Sequence, residues 1–222
     1  MCGGIYEYAA NSAGAGSQSQ FKCKIYYIKS KAVKDLNGYT VSGIVYEYDT
    51  DRAGIFNTVS GIIRNLNVEK CKFSGNYDTG IIVGVVNDTG MISNCSVRNS
   101  TVEGKENYTG GICGYNYGKI VDCSVAVTSV VNNNGYYDRY VGGIAGENDC
   151  GVITECNVTG CNISGRYSGG ICGRNYYGTI SYCNVESCEI SGPWAGGICA
   201  SNYYGTYEDN SYIGNLGYGY SQ

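Results

Sequence analysis

The chain has 222 residues and a formal net charge of −4, with 43% hydrophobic and 15% charged residues. It is long enough to bury a core, but its mild acidity gives no electrostatic basis for binding nucleic acid or anionic membranes. No apolar run reaches the roughly 18 residues of a membrane-spanning helix, and the first residues lack the basic and apolar regions of a signal peptide. We therefore expect a piece of a longer secreted protein, or export by another route.

A repeat that opens with Gly-Gly-Ile organises the sequence. Units begin at equal intervals at Gly142, Gly169 and Gly196, and somewhat longer units begin at Gly80 and Gly110. Self-similarity at such a period is typical of stacked arrays, in which a unit buries its apolar face only against its neighbours. The repeat therefore decides the fold class before any single residue is considered.

Within the units, apolar residues recur at alternate positions, and Gly or Asn stands where the chain must turn. The 35 Gly, 24 Tyr and single Pro, together with many Val and Ile, favour strands and turns over helices. We predict an all-β fold, a parallel β-solenoid (β-helix) of about seven coils of roughly 27–32 residues, with three short strands per coil.

We expect one solenoid domain over residues 1–222. Residues 1–52 would form irregular first coils with a flexible excursion at 9–20, residues 53–205 the regular repeats, and residues 206–222 a worn last coil. The excursion, AANSAGAGSQSQ, is small and polar, as flexible segments are.

Most of the 13 cysteines fall at repeated positions, which predicts columns along the solenoid. The columns are Cys95, Cys123, Cys156 and Cys183; Cys71, Cys161 and Cys188; and Cys113, Cys172 and Cys199. Val97, Val125, Val158 and Val185 follow the first column by two positions, as inward-facing strand residues do. Reduced thiols packed as small hydrophobic groups are favoured, and disulfides between neighbouring coils are the alternative. The absence of His and of C-x-x-C pairs argues against a metal site.

Aromatic residues also recur in register. Tyr108, Tyr140, Tyr167 and Trp194 stand two positions before successive Gly-Gly pairs and should stack along one edge of the rod. The pair Tyr176 and Tyr177 recurs as Tyr203 and Tyr204, each directly after an Asn. We expect these rings chiefly to stabilise the stack, and the alternative is a surface strip that binds carbohydrate.

A column of asparagines, Asn87, Asn116, Asn148, Asn175 and Asn202, predicts amide ladders. The longest unit carries extra residues around 132–139 (NNNGYYDR), a turn-rich loop that makes Tyr136 and Tyr137 further candidate ligand contacts. A small column of Thr109, Val141, Ser168 and Ala195 is expected to face outward, but it is too mixed for a regular ice-binding surface.

An enzymatic role is not favoured. Asp122 and Glu155 occupy equivalent positions and Asp209 lies two units beyond Glu155, but Tyr182 interrupts this acidic column. Without His, the Ser-His-Asp and Cys-His arrangements are excluded. We predict no catalytic residue, cofactor or metal, and a polysaccharide-degrading β-helix enzyme is a distant third interpretation.

The phrase G-G-I-x-G-x-N-x-G-x-I-x-x-C-x-V occurs from Gly110, and with one inserted residue from Gly142 and from Gly169. It resembles the GLUG-type repeat of bacterial surface proteins. The resemblance implies an adhesin-like protein or a non-catalytic region of a large secreted protease, acting as a stalk, spacer or adhesive module. It specifies an architecture and carries over no catalytic residue.

The two ends of the repeat array leave little room for caps, because Gly-Gly-Ile is present by residue 3. We therefore expect flanking domains of a longer chain, or self-association end to end into a filament. The expected role is a non-enzymatic structural or adhesive module at a bacterial cell surface or outside the cell. A glycan or host-surface ligand fits this role, whereas nucleic acid and membrane insertion do not.

Overall fold

The fold is described here from a computed structural model, which places residues 26–28, 33–47, 50–132 and 139–214, the first of these ranges as backbone alone. These residues form 33 short strands and no helix, so none of the described segments is a helix that could cross a membrane. The expected excursion at residues 9–20 lies outside the described residues.

The strands follow one another in coils of five. Coil one holds β1 (Tyr26–Ile28), β2 (Val33–Asp35), β3 (Thr40–Ser42), β4 (Val45–Glu47) and β5 (Arg52–Ala53). Coil two holds β6 (Phe56–Val59), β7 (Ile62–Arg64), β8 (Asn67–Glu69), β9 (Lys72–Gly75) and β10 (Asp78–Gly80). Coil three holds β11 (Val83–Val86), β12 (Met91–Ser93), β13 (Ser96–Arg98), β14 (Thr101–Gly104) and β15 (Tyr108–Gly110). Coil four holds β16 (Cys113–Asn116), β17 (Lys119–Val121), β18 (Ser124–Ala126), β19 (Ser129–Asn132) and β20 (Tyr140–Gly142).

The remaining strands belong to three further coils. Coil five holds β21 (Ala145–Asp149), β22 (Val152–Thr154), β23 (Asn157–Thr159), β24 (Asn162–Gly165) and β25 (Tyr167–Gly169). Coil six holds β26 (Cys172–Tyr176), β27 (Thr179–Ser181), β28 (Asn184–Glu186), β29 (Glu189–Ser191) and β30 (Trp194–Gly196). Coil seven holds β31 (Cys199–Tyr203), β32 (Thr206–Glu208) and β33 (Ser211–Ile213).

Five parallel sheets run along the molecule, and each takes one strand from every coil that reaches it. Sheets A, B and C hold the first, second and third strands of all seven coils, and sheets D and E hold the fourth and fifth strands of coils one to six. Equivalent residues lie side by side, as Val97, Val125 and Val158 do in sheet C. The predicted all-β parallel β-solenoid is therefore confirmed.

Coils one to six are each divided into five strands, where the sequence predicted three. The division occurs at single residues with left-handed backbone: Asp122 (φ 53°) and Glu155 (φ 58°) between sheets B and C, and Asn99 (φ 50°) and Val127 (φ 48°) between sheets C and D. This conformation costs a residue with a Cβ atom roughly 1–2 kcal/mol, but it bends the chain within one residue. The repeat spacing does not reveal such corners, because Val and Glu are not turn residues by type.

The core lies inside the coils and is built from the middle residue of most three-residue strands. Ile120 and Ile153 in sheet B, and Val125 and Val158 in sheet C, are fully buried. Because strand side chains alternate between faces, the flanking residues point outward. The predicted core columns have exposures of at most 2%: Cys95, Cys123, Cys156, Cys183, Val97, Val125, Val158 and Val185.

The Gly-Gly opening lies at the turn from sheet E to sheet A, where the backbones of neighbouring coils touch. A Cβ atom on Gly143 would lie 2.2 Å from the carbonyl oxygen of Gly170 in the next coil, and one on Gly170 would lie 2.1 Å from that of Gly197. Any side chain here would push two coils apart. The pair recurs in the sequence for this reason.

Two columns differ from the sequence-based expectation. The small column Thr109, Val141, Ser168 and Ala195 points inward, with exposures of 0–4%, so the expectation that it faces outward is wrong. Alternation explains this, because the neighbouring aromatic residues take the outer face. Asn87 lies one residue beyond the asparagine column, since Val86 is the residue that pairs with Asn116.

Candidate functional site

The candidate ligand-binding surface is the outer face of sheets A and E in coils three to seven. On sheet E, Tyr108, Tyr140, Tyr167 and Trp194 stack in sequence with centroid distances of 5.9, 4.8 and 6.2 Å. Their planes are inclined by 12–23° to one another. These side chains form the continuous column along one edge of the solenoid that the repeat spacing predicted.

The second set of rings lies at the end of sheet A. Tyr177 stacks on Tyr204 with a centroid distance of 5.0 Å, and Tyr176 meets Tyr177 edge to face at 4.6 Å. Tyr177, Tyr203 and Tyr204 are 52%, 54% and 77% exposed. The structure therefore brings all four tyrosines of this predicted strip together at the surface, in coils six and seven.

Stacking determines which part of each ring a ligand can reach. A sugar ring packs on the face of an aromatic ring, but in these columns the faces of Tyr140, Tyr167 and Tyr177 lie against neighbouring rings. The columns therefore present ring edges and hydroxyl groups to the side of the rod. At the last coils, Trp194 and Tyr204 each stack on one described ring, Tyr167 and Tyr177, which leaves their other faces without a stacked ring among the described residues.

Arg174 joins the two sets of rings. Its guanidinium carbon lies 4.8 Å from the centroid of Tyr176, 5.5 Å from that of Tyr140 and 5.9 Å from that of Tyr203. Such contacts contribute about 0.5–2 kcal/mol each, depending on desolvation. Arg174 therefore fixes the relative position of the two aromatic columns.

Glu147 lies beneath these rings and was missed by the sequence analysis. It is 2% exposed, with its Oε2 atom 3.5 Å from Nη1 of Arg174 and its Oε1 atom 3.4 Å from the hydroxyl of Tyr115. Burial raises the pKa of Glu147, and the attraction of Arg174 opposes the rise. The sequence contained a signal for this ion pair, because Glu147 and Arg174 occupy equivalent positions in successive units. Opposite charges at such positions lie beside each other on neighbouring strands and attract.

The insertion candidates, Tyr136 and Tyr137, lie outside the described residues. The described ends of this insertion are held together, since Nη1 of Arg139 donates to Oδ1 of Asn132 at 2.9 Å. Arg139 is 5% exposed.

The acidic column lies at the corner between sheets B and C. Asp122, Glu155 and Asp209 are exposed, and each adopts the left-handed conformation that turns the chain. Among the described residues, no group of three or more Cys, Asp or Glu side chains is arranged to hold a metal ion. The acidic residues thus occupy turn positions at the surface of the rod.

All eleven described cysteines are free thiols. Ten of them lie in the predicted columns, and Cys150 is exposed at the corner after sheet A. Burial raises the pKa of the Cys71 and Cys113 thiols, which keeps them protonated near neutral pH. Cys2 and Cys23 are outside the described residues.

Comparisons with known proteins agree with this fold. A family model described as the GLUG motif matches residues 164–191. The solved structure of "a putative immunoglobulin A1 protease from Bacteroides ovatus" matches 92% of this chain and 67% of its own chain, with 19% identity and a TM-score of 0.61. At this identity the likeness concerns the fold alone. No curated protein sequence matches the chain.

Residues 164–191 run from the end of β24 in coil five to β29 in coil six, and so span about one full turn of the solenoid. This is the part of the repeat in which the cysteine columns, the asparagine ladder and both aromatic sets are complete. Residues 164–191 therefore carry the GLUG motif, and the chain is a parallel β-solenoid that resembles GLUG-type repeat proteins.

Proposed function

We propose that the chain is a non-enzymatic structural or adhesive β-solenoid module of a bacterial cell-surface or extracellular protein. The observation that carries this proposal is the register of the five sheets, which shifts only between β1 and β6 among the described strands and elsewhere places equivalent side chains on one another from coil to coil. Such a rod resists bending and separates its two ends, as a stalk or spacer must. The GLUG motif at residues 164–191 supports the same reading.

Surface display tests the role directly. The chain would be presented on a bacterium that does not adhere, and attachment to epithelial cells and to polysaccharide-coated beads would be counted. An adhesive module increases attachment, whereas a spacer increases it only when an adhesive domain is fused beyond the solenoid. Release of sugar from a polysaccharide by the purified chain, lost in Asp122→Asn, would contradict both forms of the proposal.

The last coil supports continuation of the rod by further coils. Tyr207 is 47% exposed, whereas the equivalent Ile180 one coil earlier is fully buried. Ile198 and Cys199 are partly exposed, and their equivalents Ile171 and Cys172 are buried. Strand edges that are unpaired among the described residues, as those of coil seven are, can pair with another chain or a flanking domain.

End-to-end stacking of two copies makes a prediction about charge. Where coil seven of one copy meets coil one of the next directly and in register, Glu208 would lie beside Asp35, since both end their strands in sheet B. Like charges on neighbouring strands repel. We expect self-association to strengthen at high salt and in Glu208→Lys, measured by analytical ultracentrifugation and electron microscopy. An equal response from Glu186→Lys, on another sheet, would show that the effect is one of net charge alone.

Carbohydrate binding is a second candidate, favoured by the exposure of Tyr204 and Trp194 at the last coils. Their unstacked ring faces are suited to a sugar ring. A glycan array with the purified chain tests this function. Binding that survives Tyr204→Ala and Trp194→Ala would place the ligand elsewhere.

A further inference from the structure

The ten column cysteines are not used by the proposed function, yet nine of them place the sulfur close to a backbone carbonyl oxygen two positions away. In the column that contains Cys161 and Cys188, each Sγ atom lies close to the carbonyl oxygen two positions earlier, at 3.4 Å from Thr159 and 3.3 Å from Glu186. Cys71 repeats the contact with Glu69 at 3.2 Å. The thiol therefore donates to a carbonyl at the corner between sheets C and D.

The other members of this column show that bonding, as well as size, determines the residue. Ser100 and Thr128 occupy the same position in coils three and four and donate to the carbonyls of Arg98 and Ala126, each at 2.9 Å. Both are buried, at 5% and 2% exposure. A thiol and a hydroxyl are interchangeable here, although a hydroxyl is a poor substitute for a hydrophobic group.

The same side chains also accept a hydrogen bond from the coil below. The backbone N–H of Cys161 donates to Sγ of Cys188 at 3.4 Å, and that of Cys71 donates to Oγ of Ser100 at 3.1 Å. A column residue thus forms a hydrogen bond with the neighbouring coil, and it also donates to a backbone carbonyl oxygen at the corner of its own coil. An apolar group of the same size could do neither.

Neighbouring thiols in the columns are in register. Cys172 lies beside Cys199 in sheet A, and Cys161 and Cys188 immediately precede the paired residues Asn162 and Glu189. Adjacent strands are about 4.8 Å apart, which the backbone of a disulfide tolerates, but the two sulfurs would have to approach to about 2.05 Å. Forming that bond would pull both sulfurs away from the groups to which they are bonded.

We propose that the column cysteines stabilise the corners of the solenoid through hydrogen bonds that require reduced thiols. Two-electron oxidation of neighbouring column residues therefore loosens the solenoid at its corners. In this oxidation each thiol loses one proton and one electron, and a sulfur–sulfur bond forms. A diazene oxidant such as diamide takes up the two protons and two electrons and becomes a hydrazine. The module would then be suited to a reducing or oxygen-poor environment.

The test uses the full chain with Cys2, Cys23 and Cys150 changed to serine, so that only column thiols remain. Thermal unfolding is followed by circular dichroism before and after diamide treatment, and mass spectrometry locates the disulfides. We expect oxidation to lower Tm by about 5 °C or more and dithiothreitol to restore it. An unchanged or higher Tm in protein shown to carry column disulfides would overturn the proposal, as would failure of diamide to oxidise the columns even when the coils are opened by mild heating.

Two double variants separate a bonding role from simple packing. Cys161→Ser with Cys188→Ser keeps the donor and acceptor, whereas Cys161→Val with Cys188→Val keeps the apolar volume. We expect the serine pair to retain a higher Tm than the valine pair and to respond less to diamide. A valine pair that is as stable as the serine pair would show that the thiols act as small apolar groups.

Discussion

Asn148 shows how one side chain connects three coils. Its Oδ1 atom accepts from Nδ2 of Asn116 at 2.7 Å, and its own Nδ2 donates to Oδ1 of Asn175 at 2.8 Å. Nδ2 also lies 3.1 Å from the carbonyl oxygen of Gly151. All three asparagines are fully buried, so each bond replaces one that water would otherwise provide. The ladder that the repeated Asn predicted is therefore present in coils four to seven.

Removing one member of this ladder leaves two buried amides without their partners. We expect Asn148→Ala to lower the free energy of unfolding by about 2–4 kcal/mol, because a buried polar group without a bond costs about 1–3 kcal/mol. Urea denaturation measures the change. Asn157→Ala, at an exposed position on sheet C, serves as the control, and an equal loss in both variants would contradict the ladder's contribution.

Asp78 gives a second residue-scale prediction, on pH. Burial raises its pKa to about 6, against the attraction of Arg52, whose Nε atom lies 3.7 Å from Oδ2. Because the pKa is raised in the folded state, the folded protein binds the proton more tightly than the unfolded chain. This group's contribution to stability is therefore lost as pH rises from about 4 to about 6, and the loss is complete above pH 6.

Asp78→Asn removes the buried charge and keeps the shape of the side chain. We expect the variant to be more stable than the parent at pH 7 by on the order of 1–2 kcal/mol, with no difference near pH 4. Urea denaturation at pH 4, 5 and 7 measures this trend. A constant Asp78→Asn effect across this range would exclude titration as the cause.

At the scale of elements, the stacked column of sheet E makes a graded prediction. Tyr140 is 8% exposed and has a ring on either side, whereas Trp194 is 45% exposed and stacks on Tyr167 alone among the described rings. Each ring pair contributes about 0.5–1.5 kcal/mol beyond its buried area. A substitution in the interior of the column should therefore lower the free energy of unfolding more than a substitution of its last member.

We expect Tyr140→Leu to destabilise the protein by about 2–4 kcal/mol and Trp194→Leu by about 1 kcal/mol. Guanidinium denaturation followed by circular dichroism measures both, since the change in Trp194 removes the only tryptophan. Equal losses from the two variants would show that the column stabilises by burial of single rings and not by stacking.

At the scale of the whole molecule, the coil is the unit that can be removed. Deletion of residues 142–168 removes one complete repeat and joins Val141 to Gly169. Val141 then takes the place directly before Gly169 that Ser168 has in the parent chain. All five sheets keep their register, with Asn116 now beside Asn175. We expect this variant to fold cooperatively with a β-type spectrum.

A shorter deletion provides the matched control. Removal of residues 142–160 takes only part of a repeat and shifts every later strand out of register. Because a shift of register moves apolar residues to the wrong face, we expect this variant to aggregate or remain unfolded. Equal folding of the two deletion variants, assessed by circular dichroism and gel filtration, would contradict stacking in register.

Repetition in the sequence was sufficient to predict the class of fold and the lines along which residues stack. Equivalent spacing places Tyr108 below Tyr140, and Cys161 below Cys188, in any stacked arrangement of these units. The ends of the strands, the direction in which the Thr109 column faces and the burial of Glu147 depended on tertiary structure. A one-residue corner such as Val127 cannot be recognised from its residue type. Its left-handed backbone is held in place by contacts with the neighbouring coils, which the sequence does not display.

The same distinction applies to the candidate site. Repetition alone brought Tyr176, Tyr177, Tyr203 and Tyr204 to one surface, since with each repeat the chain returns to the same place around the rod. Only the tertiary structure decided that most ring faces lie against one another, leaving edges to the side and free faces at the last coils. The orientation of a ring depends on what packs beside it, and a spacing in the sequence contains no information about that neighbour.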